Sequence, residues 1–541
     1  MSFRSTAWIA VVSLTAAIGL ATPTPPGSAG SAGSAGPATA RVEAAVAHLV
    51  RTSEALGDRR TLERFGPFVI SATGTLDKTA EGQGFEPDAP SPGPYREVLV
   101  FDPAGGRVAR DYREERYDGT FEAFREAYLG PSERLYVVHE PPLAIPFRSA
   151  DFSEERRGLM RRLPHLLVAE MLERAAQTRL LAETAEVIVV LGALSDGTVV
   201  ELEIDPRTAL PSRVRYVAHL AAKGDTEVLW WFEEYRPVEG LGRVPFRYGA
   251  TVGGTPYVDL TVDTVEPGGL EWFEAPEGYR RIPEQVVETE EEPDELDLEE
   301  IFPGVYRVPG VRSGFAPLVV VFEEFVVAVD APASFPLLGR IPATETDPAP
   351  TMSWHSERFV DAIAAAFPER PLRYLVLTHA HEDHLGGVRA FVAAGATVMG
   401  PPAARPVVER LVALPPERTG DRLARTPAAA LRFEAVTEPL SLADDAQRLD
   451  ILPIGENPHA EGMLVVHLPA HRALFASDLV TPEPLAVYPR PSHAALDRFF
   501  AEWVERAGLD IERVLAMHGA PEATSEHLEA ARRASRAEPA E

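Results

Sequence analysis

Thr378-His379-Ala380-His381-Glu382-Asp383-His384-Leu385-Gly386-Gly387 places three histidines and an aspartate within six residues. An apolar run, Arg373 to Leu377, precedes the segment and reads as a strand, while Val388 to Ala393 after it reads as a helix. The histidines therefore sit on a strand-to-helix loop. Alternate residues of an extended turn face the same side, so His379 and His381 can grip one cation while Asp383 and His384 face a second. Imidazole and carboxylate are ligands that a borderline cation such as Zn²⁺ accepts.

Composition narrows the chemistry. The 541 residues are 45% hydrophobic and 25% charged, enough apolar material for more than one packed core. Cysteine is absent. That excludes a disulfide framework, a thiolate metal site and a cysteine nucleophile, and leaves nitrogen and oxygen as the only ligands. The net charge of −30 repels phosphate backbones, so nucleic acid is not an expected partner.

Outward from the motif, the chain divides into five stretches. Residues 1–21 read as a signal peptide, with Arg4 before the apolar run Ala7 to Ala21, which implies a periplasmic or secreted protein. Residues 22–39 are a Pro/Ser/Ala/Gly tether. Residues 40–280 begin with a helical face at Val42, Val46, Leu49 and Leu56 and contain a helical stretch over Leu159–Glu183, kinked or started by Pro164. Their short apolar runs, from Phe68–Ala72 to Tyr257–Val265, predict an antiparallel meander. Residues 281–300 are an acidic linker: ten carboxylates and no basic residue lie between Glu284 and Glu300. In residues 301–541 strands alternate with helices, beginning with a hairpin, Leu318–Phe322 and Phe325–Val329, that ends at Asp330.

The HxHxDH motif resembles that of the metallo-β-lactamase superfamily, over roughly Phe302 to Pro521. The resemblance implies an αββα sandwich and further ligands at His459 (Asn457-Pro458-His459), Asp478 (Ala476-Ser477-Asp478) and His518 (Met517-His518-Gly519). One metal would be bound by His379, His381 and His459, the other by Asp383, His384 and His518, with Asp478 bridging. The implied cofactor is two divalent ions, Zn²⁺ first and Fe or Mn as alternatives. Asp383 and Asp478 are the implied catalytic carboxylates, and Asp330 is a candidate hydrogen-bond acceptor near the histidine loop. Gly386 and Gly387 are expected to let the next helix pack closely with its amides towards the site. Ala333–Trp354 and Pro401–Leu449 exceed the family core as insertions. His355 and His493 are candidates to touch substrate, and His467 and His471 are structural.

The expected function is a secreted or periplasmic metal-dependent hydrolase in which a two-metal site activates hydroxide against a small ester, thioester, lactone or amide. Lacking cysteine, the chain is not a thiolate-ligated β-lactamase, and the remaining β-lactamase subclass normally lacks the aspartate at Asp478. The oxygen-reducing flavo-diiron relatives carry a glutamate where this chain has His381. A mononuclear iron dioxygenase of the same superfamily keeps the histidine motif and is the alternative.

Residues 40–280 also resemble the curved half-barrels of periplasmic lipoprotein carriers, on the rhythm of the strands and on Asp205–Leu210, Glu233–Val238 and Tyr257–Glu266. That resemblance implies an antiparallel curved sheet able to take a hydrophobic ligand, lined by Trp230 and Phe232 or, from the opposite face, Trp231. A ligand-binding protein with a secondary metal domain is the reading from a different class.

Overall fold

The structure, a computed structural model, describes residues 37–57, 59–77, 92–115, 121–140, 142–149, 152–220, 224–287, 296–311, 315–333, 353–414, 421–426, 428–480, 491–518 and 522–523. The signal segment and all but the end of the tether lie outside them. Among the described residues, no helix is long and apolar enough to cross a membrane.

The N-terminal part is built on one 15-stranded sheet whose principal path is antiparallel apart from the edge strand Arg280–Arg281. Its strands run outward in both directions from the pair Phe68–Asp77 and Thr255–Pro267, which joins the beginning and the end of this region. One face packs a continuous core that includes Phe101, Tyr128 and Phe147 from one half of the sheet and Val190, Leu202 and Trp230 from the other. The same core takes in Leu49 and Leu56 of the helix Pro37–Leu56 and Leu167 and Met171 of the helix Pro164–Glu173.

Several local expectations shift. The first helix starts at Pro37, so the last tether residues are helical. The stretch Leu159–Glu183 is not one helix. A helix ends at Met160, Pro164 opens a second that ends at Glu173, and Arg179–Glu183 is a strand. Proline cannot continue a helix but suits its first turn, which is where Pro164 stands. Residues 285–287, expected to be linker, pair in parallel with Phe147–Ser149 of the strand Leu143–Ser149, as Arg280–Arg281 does further back along it.

The C-terminal part is a four-layer αββα sandwich. A seven-stranded sheet contains Leu318–Val321, Val326–Val329, Leu372–Val376 and Thr397–Gly400; a six-stranded sheet contains Arg448–Pro453, Leu464–Leu468, Ala473–Ser477 and Arg513–Ala516. Side-chain alternation assigns the layers. Leu318, Val320, Val327 and Val329 meet Ile451, Val466 and Phe475 between the sheets, whereas Val319, Val321, Val326 and Ala328 face outward to Phe359, Phe391 and Val408 on helices. Both faces are covered, which is why these strands are continuously apolar. Beyond the second sheet, Leu496, Phe500 and Trp503 of the helix Pro491–Ala507 pack on Val465, Leu474 and Val514.

The expected insertion Pro401–Leu449 is integral to this fold. It supplies the helix Ala404–Val412, whose Val407, Val408 and Leu411 are fully buried, and edge strands of both sheets. A buried ion pair ties it to the motif helix Val388–Ala393. Arg389 is 1% exposed and holds Asp421 through two hydrogen bonds, at 2.5 and 3.0 Å, while donating to the carbonyls of Leu411 and Val412. Asp421 also accepts from Ser353. Burial opposes the Asp421 charge, but the guanidinium outweighs it and holds the carboxyl below its usual range.

Two outcomes follow from buried polar groups. Asp421→Ala removes the carboxylate that neutralises the buried guanidinium and is expected to cost about 3–5 kcal/mol in urea unfolding, whereas Arg389→Met with Asp421→Leu removes both charges and costs far less. His165 lies in the N-terminal core with Nε2 on the Leu56 carbonyl, and burial lowers its pKa to about 4. A depressed histidine favours the folded state fully above the unfolded pKa near 6.5, and this contribution falls away as pH drops towards 4. Between pH 7 and 4.5 the wild type is therefore expected to lose about 2–3 kcal/mol more than His165→Leu in the same measurement.

Candidate metal centre

All seven side chains singled out in the sequence stand at one edge of the sandwich, beyond strand ends. Thr378 to His384 follow Leu372–Val376, Asp478 follows Ala473–Ser477, and His518 follows Arg513–Ala516. His459 precedes Leu464–Leu468, on a loop organised by Asn457, whose side-chain oxygen accepts the amides of His459 and Ala460. Leu464 donates to the Thr378 carbonyl, which joins this strand to the motif loop across the two sheets. Asp330 and Ser477, at two strand ends, adopt left-handed backbone with φ of 63° and 50°, a turn uncommon for residues other than glycine.

The potential ligand atoms form two groups, His379, His381, His459 and Asp478, and Asp383, His384, Asp478 and His518, each with its atoms within 4.8 Å of one another. Asp478 belongs to both. Its Oδ2 lies 3.4 Å from His459 Nε2, and its Oδ1 lies 3.1 Å from His384 Nε2 and 3.3 Å from His518 Nε2. Each group also sets two ring nitrogens face to face: His379 and His459 Nε2 are 3.1 Å apart, as are His384 and His518 Nε2. Two ligands bound to one zinc at about 2.0–2.1 Å would have a similar separation. His381 Nε2 is buried with no hydrogen-bond partner among the described residues. These convergent nitrogens and carboxylate oxygens suit divalent cations.

The electrostatics divide the site. Burial pushes His379 well below the usual histidine range and His381 down to about 3, and neighbouring imidazoles add to both effects. On the other side burial opposes ionisation, but the carboxylates outweigh it: His384 is raised well above its usual range and His518 to about 9. Burial likewise works against the charges of Asp383 and Asp478, yet His384 and His518 keep both carboxyls low. The field that draws protons onto these two imidazoles also attracts a cation.

Asp330, fully buried, accepts from Thr378 and from His384 Nδ1 at 2.9 Å, so it orients the loop from behind. Gly387 allows a close approach, because a Cβ there would lie 2.0 Å from Ser356 Oγ. The glycine amides themselves are used locally, Gly386 donating to the Glu382 carbonyl and Gly387 to the Ala331 carbonyl. His355 is buried on the helix Trp354–Ala366 beside Trp354 and belongs to neither group. The side chain of His493 lies outside the described residues. His467 faces Asp450, and His471 stacks on Phe302 at 4.5 Å. Thr378, Ser477 and Phe315 were not singled out from the sequence. The Phe315 ring meets His518 at 4.4 Å, and its strand-like bridge to residue 518 explains the contact, a pairing no local pattern announces.

Residues 350–518 match the sequence model of the metallo-beta-lactamase superfamily. No curated protein matches the chain. Among solved structures, the metallo-beta-lactamase FIM-1 from Pseudomonas aeruginosa in its mono-zinc form is 18% identical, over 45% of this chain and 96% of that one, with a TM-score of 0.32. A metallo-beta-lactamase from Pontibacter korlensis is 18% identical, over 45% and 99%, with a TM-score of 0.30. One from Hirschia baltica is 18% identical, over 44% and 98%, also at 0.30. The family match spans the motif loop and the loops bearing His459, Asp478 and His518, so the part of the C-terminal domain that carries the site is the part that matches the metallo-beta-lactamase superfamily.

Proposed function

We propose that the protein is a metal-dependent hydrolase acting on a small ester, thioester, lactone or amide, exported to the periplasm or beyond. The observation that carries this reading is the shared position of Asp478, with one carboxylate oxygen turned to each half of a complete histidine and aspartate set. His379, His381 and His459 would hold one divalent cation and Asp383, His384 and His518 the other, with Asp478 between them; zinc is favoured, iron or manganese being alternatives. When bound, such ions supply Lewis acidity, which activates water and polarises the scissile carbonyl.

The chain's own residues supply the rest. Asp330 holds His384 in orientation from the buried side. The Asp383 side chain is 28% exposed against 13% for Asp478, so Asp383 stands on the open side, where its carboxylate can accept a hydrogen bond from water and orient it. Asp478, deeper and held by three histidines, keeps the two halves in register.

One observation favours a second role for the N-terminal domain. A small cavity of about 50 Å³ is lined by Leu167, Val200, Val214, Trp230 and Phe232, with Arg161 and Arg162 also on its wall. Both arginines are committed to carboxylates, Arg161 to Glu170 and Asp196 and Arg162 to Glu97, so the cavity suits an uncharged apolar group. Trp231 alternates to the opposite side of its strand and does not line it.

Elemental analysis of the purified full chain is expected to find two equivalents of divalent metal. His379→Ala and Asp478→Asn are each expected to lose about 100-fold or more in metal affinity and in turnover across a panel of the four substrate types. Metal-free protein, or variants that hydrolyse as fast as the wild type, would contradict the reading. For the cavity, Val214→Trp is expected to abolish the ¹²⁹Xe NMR shift produced by binding of xenon, a small apolar probe, and to leave metal content unchanged.

A further inference from the structure

We propose that Thr378 is a positioning residue for both halves of the metal centre, because its hydroxyl and Asp330 together decide which ring nitrogen of His379 and of His384 a cation can reach. The inference rests on the metal reading above. It follows from a count of protons in a closed, buried cluster. Asp330, Thr378, His379, His384 and Ser477 are all fully buried, so no solvent is at hand to balance a missing partner.

The Asp330 carboxylate only accepts. It receives the Thr378 amide at 2.8 Å, the Thr378 hydroxyl at 2.9 and 3.0 Å, and His384 Nδ1 at 2.9 Å. A threonine hydroxyl has one proton and two lone pairs. Its proton is committed to Asp330, so its remaining neighbours must donate to it. These are His379 Nδ1 and Ser477 Oγ, each at 3.0 Å. The longer approaches of Ser477 to Asp330 and Asp478, both 3.4 Å, compete poorly for the serine proton.

His379 therefore carries its proton on Nδ1, which leaves the Nε2 lone pair directed at the face shared with His459. His384 likewise commits its Nδ1 proton to Asp330 and presents Nε2 towards His518 and Asp478. One threonine hydroxyl thus acts on the His379 half directly and on the His384 half through Asp330. With the hydroxyl removed, His379 Nδ1–H loses its acceptor, the opposite tautomer becomes available, and Asp330 keeps the Thr378 amide but loses the side-chain donor that helps hold it against His384.

Three measurements test this. In ¹⁵N imidazole NMR of the chelator-stripped full chain, both rings are expected to carry a proton on Nδ1; a His379 protonated on Nε2 alone would overturn the proposal without recourse to any variant. In competition with a chromophoric chelator for Zn²⁺, Thr378→Val, which keeps the branched shape, is expected to weaken both sites by about 10–100-fold. Thr378→Ser, which restores the hydroxyl, is expected to recover wild-type affinity to within about threefold. A folded Thr378→Val protein that binds two zinc ions as tightly as the wild type overturns the proposal and leaves the metal reading standing. A wild type that binds no zinc overturns both.

Discussion

The bond from the Asp330 carboxylate to Thr378 is the constraint on which the C-terminal domain depends. Asp330 ends the strand Val326–Val329 and Thr378 follows the parallel strand Leu372–Val376, so two neighbouring strand ends are joined where both leave the sheet. The same carboxylate fixes His384, and Thr378 in turn touches Ser477 of the second sheet. One buried acceptor therefore registers the two sheets against each other at the edge where the ligands gather. Carrying a buried charge here is costly unless it is hydrogen-bonded, and three donors within 3.0 Å, the Thr378 amide, the Thr378 hydroxyl and His384 Nδ1, meet that need.

The sandwich makes such an edge available. Strands covered on both faces by valine-rich layers cannot host polar side chains along their length, so polar chemistry is displaced to the loops beyond their carboxyl ends. The Arg389–Asp421 pair extends this support outward, since it clamps the motif helix to the segment that follows the helix Ala404–Val412. Rigid strand ends in front and a saturated ion pair behind leave the ligand side chains little freedom, which is what preorganisation for a cation requires.

Much of the candidate site was legible in the sequence. HxHxDH concentrates its chemistry in six residues, and His459, Asp478 and His518 each stand beside an apolar strand that marks their place. Thr378 and Ser477 were not legible, because a hydroxyl beside a ligand is common and only the three-dimensional count of donors gives it a role. The N-terminal domain was harder to read. Strands such as Phe121–Tyr128 bury Glu122 and Glu126 on the same face as Phe124, and Glu126 is compensated by Arg110 at 3.2 Å from a neighbouring strand. A pattern of apolar and polar residues treats buried ion pairs as surface, so the strand Phe121–Tyr128 escaped it. Likewise Pro401–Leu449 read as an insertion because it exceeds the family core, although its buried valines help to fill the core.

Anomalous diffraction from crystals of the full chain, recorded at the absorption edge of the metal it retains, tests the central claim most directly. The account predicts two peaks about 3.5–4 Å apart, one among His379, His381 and His459 and the other among Asp383, His384 and His518, with Asp478 between them. A single peak, or density away from these seven side chains, would contradict it.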